Sequence, residues 1–139
     1  MKVIDASALM AAERGSVTAR AAIDKVLANP RDAVLPTIAL LEFRSGTKVK
    51  GEWRAWLEQL QTAVRVVPLD EDAARIGGRL ARHMARRGFK LHSADAAVLG
   101  CGASRGATVV LTADGDFDGI TRAFGADGAP FTVERVAPK

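Results

Sequence analysis

The sequence predicts an α/β domain built on a central, mostly parallel sheet covered by helices. Short β-like runs alternate with longer amphipathic stretches along the whole chain. That alternation belongs to strand–helix–strand units rather than to an all-helical or all-β fold. The 139 residues carry no repeat, low-complexity segment or evident linker, so one domain over 1–139 is expected. Apolar residues make up 48% and charged residues 26%, the balance of a chain that buries a core.

Taken in order, "KVI" (2–4) is a short apolar strand, followed by helical "SALMAAERG" and "SVTARAAIDKVLAN". After the loop "NPRD" come the strand "AVL" and "PTIALLEFRSG", predicted as a helix with Pro36 in its first turn. "GEWRAWLEQLQTA" is an amphipathic helix with Trp53, Trp56, Leu57 and Leu60 on one face. "VRVVPL" (64–69) is β-like, and "DEDAARIGGRLARHMARRG" is a long helix whose acidic start and basic end match the helix dipole. A helix beginning near Ser93, the strand "TVVLT" (108–112), a short turn or helix and a last strand "FTVERV" (131–136) complete the pattern. Gly77-Gly78 conflicts with the long helix, since a helical glycine costs about 1 kcal/mol relative to alanine. Close helix packing and a break in the helix both remain open there.

Several function classes drop out. No apolar run approaches the roughly 18 residues of a membrane span. The start, "MKVIDAS", lacks the apolar core of a secretory signal, so a cytoplasmic protein is expected. The single cysteine, Cys101, lies in an apolar segment and reads as a buried thiol in a reducing compartment. There is no C-x-x-C, H-E-x-x-H, Walker loop or dinucleotide fingerprint. The glycines of "GCGASRG" fall within or after a helix, a weak phosphate-loop signal, and neither His83 nor His92 has the neighbours of a catalytic triad. A net charge of +4 mildly favours acidic partners, nucleic acid first among them.

The informative residues are acids where apolar side chains belong. Ile38, Leu41, Glu42 and Ser45 share one helical face, as do Leu91, Asp95, Val98 and Gly102. Asp5 ends an apolar strand, and Asp114 follows another by two residues. Each alone has an ordinary reading: a solvated glutamate, a first-turn aspartate of a helix that Ser93 can cap, the start of a turn. Together they point to one place. Residues following parallel strands collect at the C-terminal sheet edge, and Glu42 and Asp95 on covering helices can face the same crevice. Four carboxylates gathered there cannot all stay ionised without cations, and an all-oxygen set suits Mg²⁺ or Mn²⁺.

The stretch "TADGDFDG" opens like a calcium loop, but the twelfth position is Gly125 rather than glutamate, and a strand precedes it. Asp114 is therefore the expected ligand of the three aspartates, directly or through one water. Asp116 is a second acid of the same site, and Asp118 an exposed acid or helix cap.

"VIDASAL", Glu42 in a short helix, Asp95 in "SADAAVL" and "VVLTADGDF" together resemble the PIN domain, and more narrowly the VapC-type toxins of bacterial type II toxin–antitoxin modules. The resemblance spans nearly the whole chain. It implies a PIN-like three-layer α/β/α fold. It implies that Asp5, Glu42, Asp95 and Asp114 form the acidic quartet that binds Mg²⁺ or Mn²⁺, joined by Asp116, with Ser7 and Thr112 as supporting hydroxyls. The implied activity is endoribonuclease cleavage of structured RNA, tRNA or rRNA, by metal-activated water attack on a phosphodiester. A VapB-type antitoxin partner and a homodimer are implied as well. Gly100 and Gly102 depart from the alanine-rich helix such proteins carry, which bears on packing.

For phosphate contacts, Arg75, Arg79, Arg82 and Arg86 form a stripe on the long helix, with Arg87 and Lys90 beyond it. A solvated helix face explains the same stripe. With no tyrosine and few aromatics, base stacking is not expected to dominate. Two alternatives stand beside the nuclease. One is a PIN-fold module that binds antitoxin or RNA without hydrolysis. The other is a phosphomonoester hydrolase, which would want an aspartate at position 7, where this chain has serine.

Overall fold

The computed structural model describes residues 1–46, 51–125 and 128–139. Its centre is a five-stranded sheet in the order β3-β2-β1-β4-β5, with every neighbouring pair parallel. The strands are β1 (Lys2–Ile4), β2 (Ala33–Pro36), β3 (Arg65–Val67), β4 (Val109–Thr112) and β5 (Thr132–Arg135). Between them run α1 (Ala6–Glu13), α2 (Val17–Ala28), α3 (Thr37–Gly46), α4 (Glu52–Ala63), α5 (Glu71–Arg86), α6 (Ser93–Ala103) and the short α7 (Gly119–Phe124).

Strand alternation divides the core in two. Ile4, Leu35 and Leu111 point to one face and pack with Leu9, Ile23, Phe43, Leu57 and Leu60 from α1–α4. Their chain neighbours Val3, Val34 and Val110 point to the other, against Met84, Val98, Leu99, Ile120 and Ala123 from α5–α7. Both faces are covered, as a parallel sheet requires, and the result is a three-layer α/β/α sandwich. Cys101 is fully buried in the second layer, where burial raises its thiol pKa.

The glycine conflict resolves as close packing. The α5 helix runs unbroken through Gly77. A Cβ on Gly77 would strike the carbonyl oxygen of Ala96, and one on Gly100 would strike that of Ala73. Each of α5 and α6 thus uses a glycine to admit the other's backbone. Gly102 does the same toward the sheet, with its missing Cβ 2.6 Å from Cβ of Val3. Gly78 faces open space.

Two local expectations are corrected. Pro36 is the last residue of β2, paired with Val67, and the helix starts at Thr37; proline is tolerated at such a strand end. His92, not Ser93, takes the N-cap position of α6, and its side chain makes no cap hydrogen bond.

Candidate active site

The sheet order reverses between β1 and β4: the chain winds from β1 through β2 to β3 on one side, then returns to place β4 and β5 on the other. Such a switch point opens a crevice at the C-terminal ends of the two central strands. Asp5 follows β1 there, and Asp114 lies two residues past β4. The register pairing Ile4 with Leu111, and the Asp5 N–H donating to the Leu111 carbonyl at 2.9 Å, hold these two strand ends side by side.

Asp5 is buried and held by two hydroxyls. Ser7 Oγ donates to its Oδ2 at 2.5 Å and Thr112 Oγ1 to the same oxygen at 3.0 Å. The hydroxyls are themselves fixed, because Ser7 Oγ accepts from the Ala113 N–H at 2.9 Å and Thr112 Oγ1 from the Asp114 N–H at 3.3 Å. With backbone donors in place, the single proton of each hydroxyl is available to the carboxylate.

The turn after β4 is anchored by Phe117, which is fully buried in the α5–α7 layer. Asp114 Oδ1 accepts from the Asp116 N–H at 3.0 Å, an Asx turn that leaves Asp114 half-buried and Asp116 exposed. Asp118 precedes α7 without capping it and instead meets Arg135.

Electrostatics show that the acids share one neighbourhood. Asp95 is only 9% exposed, and its pKa is pushed up to about 7 by burial, then by the charges of Asp116, Asp5, Asp114 and Glu42. Burial raises Glu42 too, followed by Asp5 and Asp114. For Asp5, burial and the Asp114 charge raise the pKa against the opposing hydrogen bonds of Ser7 and Thr112, and the net shift is upward. Among the described residues, none of the five acids is ion-paired with a basic side chain. Nor do three of them converge tightly enough, as placed, to hold one ion.

The basic residues form a separate surface. Arg75 is tied to Asp72 at 3.0 Å and Glu71 at 3.8 Å on its own helix. Arg79, Arg82 and Arg86 line a concavity with His83, whose ring stacks on Phe124 of α7 with centroids 3.9 Å apart. Arg87 Nη1 donates to His83 Nδ1 at 3.3 Å. Lys90 is exposed in the loop before α6. No ion pair joins Arg79, Arg82, Arg86, Arg87 or Lys90 to the acids among the described residues. Among the described residues, Arg135 is the basic side chain that pairs with the acidic turn, through Asp118. Its only sequence signal is a place at the end of "FTVERV", which means nothing until the strand register is known.

The PIN domain model matches residues 2–123. The chain is 32% identical over 121 residues to Ribonuclease VapC5 of Mycobacterium tuberculosis, covering 83% of this chain and 84% of that protein. Among solved structures it is similar to VapBC-5 of M. tuberculosis, a member of the VapBC family of toxin–antitoxin systems. That match has 30% identity and a TM-score of 0.55, over 75% of this chain and 82% of the other. FitAcB from Neisseria gonorrhoeae shares the fold across 96% of both chains, with a TM-score of 0.68 and 21% identity. The family match and the 32% identical relative agree: the chain belongs to the PIN domain family.

Proposed function

We propose that this protein is a ribonuclease toxin of a type II toxin–antitoxin pair, cleaving structured RNA such as tRNA or rRNA with Mg²⁺ or Mn²⁺. One observation carries the proposal: the charges of Asp116, Asp5, Asp114 and Glu42 all bear on the buried Asp95 beside the ends of β1 and β4, three of these acids have raised pKa values, and none of the five has a basic partner among the described residues. Buried like charges without counter-charges are costly, so the cluster is not explained by stability. The donor set is all oxygen, which fits a hard divalent cation.

In this reading Asp5, Glu42, Asp95 and Asp114 would supply the oxygen ligands for divalent metal, and Asp116 adds charge from the rim. A bound cation would supply Lewis-acid activation of water and of the phosphodiester, and would reverse the sign of the pocket. Ser7 and Thr112 keep Asp5 oriented and favour its ionised form. The Asx turn fixes Asp114 relative to β4. Arg79, Arg82, Arg86, Arg87 and Lys90 offer the RNA backbone a basic surface on the α5 side. The single-domain reading extends over 1–139, because β5, beyond the matched stretch, pairs with β4 and Val136 is buried behind it. A VapB-type antitoxin belongs to the same reading, supported by the similarity to VapBC-5 of a toxin–antitoxin family, and a homodimer and a cytoplasmic location are proposed with it.

A second reading is a PIN-fold module that binds antitoxin or RNA without hydrolysis. Inducing the protein in bacteria separates the two. Growth arrest is expected for the parent and its loss for Asp5→Ala, Glu42→Ala and Asp95→Ala at equal soluble expression. Arrest that persists in Asp95→Ala contradicts the ribonuclease reading.

A further inference from the structure

Arg135 ends β5, and its pairing with Thr112 places it at the sheet edge that carries the acids. Its Nη1 donates to both oxygens of Asp118, at 3.2 and 2.9 Å. A Cβ built on Gly115 would lie 3.6 Å from Nη1 and 3.8 Å from Nη2, so the guanidinium lies against the Asp114–Asp116 turn. Nε and Nη2 have no acceptor among the described residues, and the side chain is 46% exposed.

This pair, like Lys2–Glu134 and Arg105–Asp70, joins separate parts of the chain and differs from the pairs within one helix. Arg54–Glu58 and Arg75–Glu71 join neighbouring turns of one helix. Arg135–Asp118 instead joins β5 to the acidic turn and fixes a cation at the rim of a negatively charged crevice. Arg135 is not among the charges acting on Asp5, Glu42 or Asp95, so it does not neutralise the buried acids. A polyanion approaching that crevice needs a cationic foothold beside it, and a guanidinium with two unused nitrogens matches a phosphate fork to fork.

We propose that Arg135 binds an RNA phosphate flanking the scissile one, with Asp118 holding the guanidinium over the turn. The proposal rests on the ribonuclease reading above. It assigns Arg135 a substrate-positioning role and leaves the chemistry to the acids.

The test uses the full chain in EDTA with a short mixed-sequence single-stranded RNA, measuring Kd across salt concentrations. Arg135→Gln is expected to weaken binding about ten-fold, as for one charge-assisted hydrogen bond, and to lower the log–log salt slope by about 0.7. Arg135→Lys is expected to keep the slope, and also serves as the control for strand packing. With bulk tRNA and Mn²⁺, Arg135→Gln is expected to raise KM while kcat changes far less. Unchanged KM, Kd and slope in a folded Arg135→Gln, beside a parent that binds or cleaves RNA, overturns this proposal alone. A parent that neither binds nor cleaves RNA overturns the ribonuclease reading and this proposal with it.

Discussion

Thr112 Oγ1 donates to Oδ2 of Asp5 across 3.0 Å and ties together the ends of the two central strands. The same oxygen accepts the Asp114 N–H, so one hydroxyl orients acids from both strands. Thr112→Val keeps the shape and removes both bonds. Expected are a stability loss of about 1–3 kcal/mol, from the unsatisfied buried groups, and a further rise in the Asp5 pKa. RNA cleavage should fall at least about ten-fold, with Thr112→Ser close to the parent. Thermal melts and a cleavage time course check it.

The α5–α6 crossing gives a second prediction. Ala at position 77 or 100 must push a backbone carbonyl aside, and overpacking of this kind costs about 1–3 kcal/mol. Gly78→Ala meets nothing within 4 Å, and helix propensity alone should make it more stable by up to about 1 kcal/mol. Urea denaturation of the three variants tests the contrast. Equal effects at 77 and 78 would contradict the packing described.

The metal-free protein should be pH-sensitive with a definite sign. Asp95 titrates near 3.8 when unfolded and at about 7 when folded, so the native state binds the extra proton. Stability from this group is therefore complete below the lower value and is lost as pH rises through about 7. Asp5 and Glu42 act in the same direction. Asp70, whose pKa is lowered by the Ala73 N–H and Arg105, acts oppositely but lies at the surface, where solvent screens it. In EDTA, Tm should be lower at about pH 8 than at about pH 5.5. Asp95→Asn should remove most of that difference, and Mg²⁺ should restore Tm at the higher pH.

Much of this architecture was legible in the chain. The alternation of Val3 with Ile4 and Val110 with Leu111 marks strands buried on both faces, and acids placed after such strands meet at one edge whatever the strand order. Asp95 stood out because it interrupts an apolar helical stripe that is indeed buried, whereas the stripe assigned to Glu42 does not face the core: α3 buries Ala39, Leu40 and Phe43 and leaves Leu41 exposed. Long-range register was not legible. Arg135 becomes informative only when β5 lies beside β4. Gly77 and Gly100 explain each other only when α5 crosses α6. At Pro36 and Ser93 the local signal favoured a helix start and a cap, but pairing with Val67 and the path through His92 prevailed.

The most direct measurement is 5′-end sequencing of total bacterial RNA incubated with purified protein and Mn²⁺, comparing the parent with a folded Asp95→Asn variant. Discrete new 5′ ends are expected with the parent, absent in EDTA and absent with Asp95→Asn. The same ends from Asp95→Asn, or none from the parent with either Mg²⁺ or Mn²⁺, would contradict a metal-dependent ribonuclease built on the switch-point acids.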